Sequence, residues 1–154
     1  MPGSRNSYAV LLEELRELMD GERDALANMA NCAAVIFHGL PDINWAGFYL
    51  LRQEQLVLGQ FQGRPACVRI DLGKGVCGAA AQRRETVLVP DVHRFPGHIA
   101  CDERSQSEIV MPLVKHGNLL GVLDVDSPKL NRFASADARG LEALAGLLLA
   151  GSDF

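Results

Sequence analysis

The stretch CDERSQSEIVMPLVKHGNLLGVLDVDSP, residues 101–128, decides how the chain is read. Ser107–Val114 and Asn118–Asp126 are apolar runs rich in β-branched residues, separated by Lys115-His116-Gly117. That pattern predicts a β-hairpin. A three-residue loop of this kind closes on a left-handed residue, a conformation glycine adopts without a Cβ penalty, and Gly117 stands at that position. The resulting register pairs Val114 with Asn118 and Glu108 with Asp124. Side chains alternate between faces, so Asp126 shares the face of Asp124. Glu108, Asp124 and Asp126 are thus expected on one face, together with Val110 and Val122. A loop of two or four residues would turn Glu108 to the opposite face.

Like charges directly opposite one another destabilise a sheet. A solvated outer face is the plain explanation for three carboxylates, and it is common in antiparallel sheets. Val110 and Val122 on the same face argue against it. The other readings are a cation, a bound ammonium group, or a carboxyl kept protonated by its neighbours.

Working outward, the 154 residues fit one domain with a sizeable core. Apolar residues at 48% and charged residues at 22% are ordinary for a globular chain. The formal charge is −4, with no basic stripe, which argues against nucleic acid as a partner. No apolar run reaches the roughly 18 residues of a membrane span. The N-terminal MPGSRNSYAV has no apolar signal core, which argues against secretion and for the cytoplasm. Four cysteines kept reduced there point to reactivity, metal binding or burial.

Tyr8–Met19 and Arg23–His38 have helical spacing. Cys32, among alanines in the second helix, reads as a small buried hydrophobe. Asn44–Leu51 is a strand with Trp45, Gly47 and Tyr49 on one face. Gly47 leaves a gap between two rings, where a ligand or another backbone approaches. Leu56–Gln60 returns as a strand, and Pro65–Leu72 is a short third one containing Cys67. Gly73-Lys74-Gly75 opens a helix carrying Cys77, whose thiolate a helix N-terminus can stabilise. Thr86–Val89 is a further strand, and residues 90–107 form a long loop with Cys101. Such a loop inside a compact domain is functional or disordered. Ser135 is the expected N-cap of a last helix, which runs to about Leu149. Hairpins with helices at both ends of the chain make an α+β domain. The terminal helices are expected on one face of an antiparallel sheet, and the ligand on the other.

Four segments carry a resemblance to a known family: NWAGFYLL at 44–51, GRPACVRIDLGKGVCGAA at 63–80, HIACDERSQSEIVMPL at 98–113 and GVLDVDSP at 121–128. The chain resembles the GAF domain family and, within it, the free methionine-(R)-sulfoxide reductases, over nearly its whole length, which makes residues 1–154 a single GAF-like domain. GVLDVDS alone says only GAF-like; the three cysteines in their settings are more specific. The resemblance implies that Cys101 is catalytic and Cys67 its disulfide partner, with Cys77 the third cysteine of the set, read either as packing against the sheet or as a back-up resolving thiol. It also implies that Glu108, Asp124 and Asp126 contact the substrate and that Trp45 packs on its methyl end. The implied activity is reduction of the free amino acid, with no cofactor and no metal.

In chemical terms, a thiolate attacks the sulfoxide sulfur, and a second thiol resolves the sulfenic acid. A carboxyl crowded by two others can donate the proton that the sulfoxide oxygen needs. Trp45 and Tyr49 offer a thioether-sized apolar slot. Thioredoxin is the expected reductant, and the Leu-rich terminal helices make a second copy of the chain a candidate partner. Two rivals stand beside this. Many GAF domains are non-catalytic small-ligand sensors. A metal site could also draw on Cys67, Cys77, Cys101, His93 or His98, although their spacings lack the tight pairs of structural zinc sites.

Overall fold

The computed structural model describes residues 4–154, with side chains from Tyr8 onward. The chain runs α1 (Ser4–Leu18), α2 (Ala25–Gly39), β1 (Trp45–Arg52), β2 (Gln55–Gly63), β3 (Arg69–Asp71), α3 (Gly75–Arg83), β4 (Val87–Val89), β5 (Ser107–Lys115), β6 (Asn118–Ser127) and α4 (Ser135–Ala150). The six strands form one antiparallel sheet in the order β3-β2-β1-β6-β5-β4. This is the expected α+β architecture.

Strand periodicity sorts the side chains into two layers. Ala46, Phe48, Ile109, Met111, Leu113, Leu123 and Val125 face α2 and α4, and α1 packs on those helices. Cys32 is fully buried in this layer, as its alanine neighbours implied. Trp45, Tyr49, Val110 and Val122 face the other way, against Val76, Cys77, Ala80 and Ala81 of α3.

The hairpin departs from its expected register. Lys115 pairs with Asn118, so the turn has two residues, with His116 at φ 53° and Gly117 at φ 80°. Both are left-handed, as in a type I′ turn. Alone, that turn would have set Glu108 opposite Val125. The ladder instead jumps from Val114↔Leu119 to Leu113↔Gly121, leaving Leu120 as an extra, bulged residue. Glu108 therefore lies opposite Asp126, not Asp124, and Asp124 lies opposite Val110. The bulge restores the parity that the shorter turn removes, so the three carboxylates still share a face.

Two further boundaries differ from expectation. The third strand is only Arg69–Asp71, and Cys67 lies ahead of it. The Cys67 carbonyl accepts from the Tyr49 hydroxyl at 2.8 Å, which takes that group out of strand pairing. The N-cap of α4 is Ala134, not Ser135; Asp137 in the first turn accepts from the Ala134 N–H at 2.8 Å. The other Asp137 oxygen accepts from the buried Tyr8 hydroxyl at 2.7 Å, tying α1 to α4.

Gly140 is what lets α4 approach Tyr8 so closely: a Cβ there would overlap the Tyr8 ring. Gly140→Ala is expected to cost about 1–3 kcal/mol through overpacking, despite alanine's better helix propensity. Urea unfolding checks this, and a variant as stable as the parent would show that α1 can shift without loss.

Candidate active site

The two layers leave a pocket on the α3 side of the sheet, of about 540 Å³ with its open mouth included. Its floor is the acidic face of the hairpin, Glu108, Asp124 and Asp126. Trp45 and Tyr49 from β1 form one wall, and Val76 and Cys77 at the start of α3 another. Ala66 and Cys101 close it from two loops.

Those loops are joined covalently. Cys67 and Cys101, 34 positions apart, form a disulfide with their Cα atoms 5.5 Å apart, within the ordinary range for such bridges. The 90–107 loop is held in place by ordinary polar contacts. The Gln106 N–H donates to the Ser127 carbonyl at 2.7 Å, and the Val92 N–H to the Gln106 carbonyl at 2.9 Å. Asn44 Nδ2 reaches Ser105 Oγ at 3.2 Å and Asp102 Oδ2 at 3.4 Å.

The carboxylates differ sharply in environment. Asp102, one residue past Cys101, accepts from Arg104, and those hydrogen bonds hold its carboxyl below the usual range. Asp124 is buried, with no cationic side chain bonded to it among the described residues. Burial, then the charges of Asp126 and Glu108, push its carboxyl well above the ordinary value. Asp126 is driven the same way by burial and by Glu108. Asp124 Oδ2 accepts from Cys77 Sγ at 3.4 Å, while Oδ1 has no hydrogen-bond partner among the described residues.

Cys77 corrects one expectation. Its place at the start of α3 does not favour a thiolate. Burial, followed by Asp124, Glu108 and Asp126, pushes its thiol well above the usual range. At Gly47 it is the second of the two expected neighbours, another backbone, that approaches: the room a Cβ would need is taken by Phe61, backbone and Cβ, and by the Trp45 ring, not by ligand space. Trp45 stacks between Phe61 and Tyr49, with centroids 5.3 and 5.9 Å away, and its Nε1 donates to the Arg64 carbonyl at 3.1 Å. The rings are thereby fixed before any ligand arrives.

All eight residues singled out from sequence lie at or beside this pocket, Cys67 through its bond to Cys101. The metal set considered from spacing does not assemble. Cys67 and Cys101 are bonded to each other, and exposed His93 pairs with Asp91 at 3.0 Å. His98 does reach the pocket, its Nε2 4.0 Å from Glu108 Oε1. Sequence reasoning missed Asn44, Asp102 and Ser105. Asn44 sits at the lip of a strand and Asp102 beside the cysteine, but nothing in their spacing signals that they meet.

A pocket on the open face of such a sheet, under a short helix and a loop, defines a class. The GAF domain model matches residues 7–149, and the chain belongs to the GAF domain family. Among its relatives, the free methionine-R-sulfoxide reductase of Escherichia coli is 52% identical over 141 residues, 92% of this chain and 86% of that protein. The free methionine-R-sulfoxide reductase of Saccharomyces cerevisiae is 44% identical over 146 residues, covering 90% of this chain and 81% of that one. The crystal structure of the Neisseria meningitidis free methionine-R-sulfoxide reductase with its substrate superposes with a TM-score of 0.90 at 44% identity, over 94% of this chain and 87% of that one.

Proposed function

We propose that this chain is a thiol-dependent enzyme that reduces free methionine (R)-sulfoxide to methionine. The observation that carries the reading is the Cys67–Cys101 disulfide at the wall of a pocket floored by buried carboxylates. A passive sensor needs a pocket but not an oxidisable thiol pair beside it.

In the reduced enzyme, Cys101 attacks the sulfoxide sulfur as thiolate. Asp124 supplies a proton to the sulfoxide oxygen. Its raised pKa keeps the acid form available, and Oδ1 is the oxygen not already bonded to Cys77. The oxygen passes to Cys101 as sulfenic acid, and methionine leaves with its sulfur reduced by two electrons. Cys67 then displaces that oxygen as water and forms the disulfide. Thioredoxin, a dithiol with a potential of about −270 mV, returns both cysteines to thiols in the cytoplasm. Glu108 and Asp126 hold the substrate ammonium, and the Trp45 and Tyr49 rings take the methyl end.

The test is turnover with dithiothreitol on the free amino acid and on its N-acetyl derivative. The free R epimer is expected to react and the acetylated one to fall by several orders of magnitude, because a site built for a buried polar contact rejects the analogue lacking it. Equal rates would make the substrate a peptide-bound sulfoxide, and no turnover of either would leave a binding module.

A further inference from the structure

Two oxygens of the pocket floor, Asp124 Oδ1 and Asp126 Oδ1, have no hydrogen-bond partner among the described residues. Asp124 is 5% exposed. On the same floor, the sulfur of Cys77 and one oxygen each of Glu108 and Asp124 lie within 4.8 Å of one another. All three residues are buried. In a tetrahedral zinc site, with Zn–S of about 2.3 Å and Zn–O of about 2.1 Å, a sulfur and an oxygen ligand lie about 3.6 Å apart. Cys77 Sγ and Asp124 Oδ2 are 3.4 Å apart.

We propose that Cys77, Glu108 and Asp124 form a site for a thiophilic divalent cation, zinc above all, that occupies the pocket floor and inhibits the enzyme. The donor set selects the ion. Two carboxylates alone suit magnesium or calcium, whereas a sulfur ligand favours zinc. Cys77 enters as thiolate, and its proton passes to the buffer. Three protein ligands leave a fourth position, and His98, beside Glu108, is the histidine of the pocket lining closest to fill it. This set differs from the one that sequence spacing offered, sharing Cys77 and, at the fourth position, His98 with it. Binding does not depend on the activity proposed above; inhibition does, because it follows from zinc and substrate sharing Asp124 and Glu108.

The probe is zinc alone, added to the Cys67→Ser/Cys101→Ser double variant, which lacks the other two pocket thiols. Competition with a chromogenic chelator is expected to show one equivalent bound. Adding Cys77→Ser or Asp124→Asn is expected to weaken it at least tenfold, and adding Cys32→Ala to leave it unchanged. Cobalt in place of zinc is expected to give a sulfur-to-metal charge-transfer band in the near ultraviolet, present with Asp124→Asn only at higher cobalt. No bound zinc, no such band, or affinity unchanged by both added substitutions would overturn the site. Should Cys77→Ser fail to fold, the band in the double variant and the shape-conserving Asp124→Asn decide the matter. In the wild-type enzyme, zinc is expected to raise the apparent KM for methionine sulfoxide without changing kcat. Zinc bound with no effect on turnover would overturn the inhibitory role.

Discussion

Cys101→Ser is expected to bring turnover of free methionine sulfoxide down to the level of a blank without enzyme. A serine hydroxyl is not ionised near neutral pH and is a poor nucleophile toward sulfur, whereas a thiol supplies thiolate readily. The fold should survive. Cys101 sits in a loop held by the backbone bonds of Val92 and Gln106 and by Asn44, and the reduced enzyme must in any case exist without the bridge. Cys67→Ser provides the contrast. It should allow one round of reduction and then stall, because the nucleophile remains and only its resolver is gone. A rapid-quench assay for methionine, at enzyme in excess over substrate, separates the two. Methionine formed by Cys101→Ser at near wild-type yield would move the nucleophile elsewhere.

Asp124→Asn is expected to lower kcat by about 10²–10⁴-fold, the usual loss for a general acid, while making the protein more stable. Glu108→Gln tests the neighbouring floor position and should also lose orders of magnitude in activity. The stability gain for Asp124→Asn has a definite pH dependence. Burial and the nearby carboxylates raise the folded pKa of Asp124 above the ordinary 3.8. Between those two values the folded state binds more protons than the unfolded chain, so stability falls as pH rises. Asparagine lacks that slope. The variant's advantage in Tm is therefore expected at neutral pH, at about 2–4 °C per kcal/mol for a chain of this length, and should vanish below about pH 3.8. Thermal melts at pH 7 and pH 3.5 check it. A variant that is inactive yet no more stable at pH 7 would mean that Asp124 is not held against its charge.

The hairpin shows which parts of the fold could be read in the sequence. Glu108 is separated from Asp124 and from Asp126 by an even number of positions, so any connection that keeps the odd residue somewhere puts all three on one face. The sequence does not say whether that residue sits in the turn or in the ladder. It sits at Leu120, and the partner of Glu108 changes accordingly. Cys77 was legible as a position near a helix start but not as a protonation state, because its burial against the sheet and then the charges of Asp124, Glu108 and Asp126 raise the thiol, and both depend on the packed fold. Gly47 was legible as a place of close approach, and only the packed chain identifies Phe61 as the group that approaches. Asn44 meeting Asp102 and Ser105 depends on where a long loop comes to rest, which no local periodicity encodes.

The four thiols fall into two accessibility classes. Cys32 and Cys77 are buried, and burial pushes the Cys32 thiol up to about 12. Cys67 and Cys101 lie in loops that are only partly covered. A brief exposure of the native protein to an alkylating agent should therefore label the working pair and spare the other two. Read as intact mass, two adducts would mark a molecule ready to react and none a molecule that has completed a cycle. The chain carries its own redox gauge, readable in a cell extract without a tag or a coupled assay.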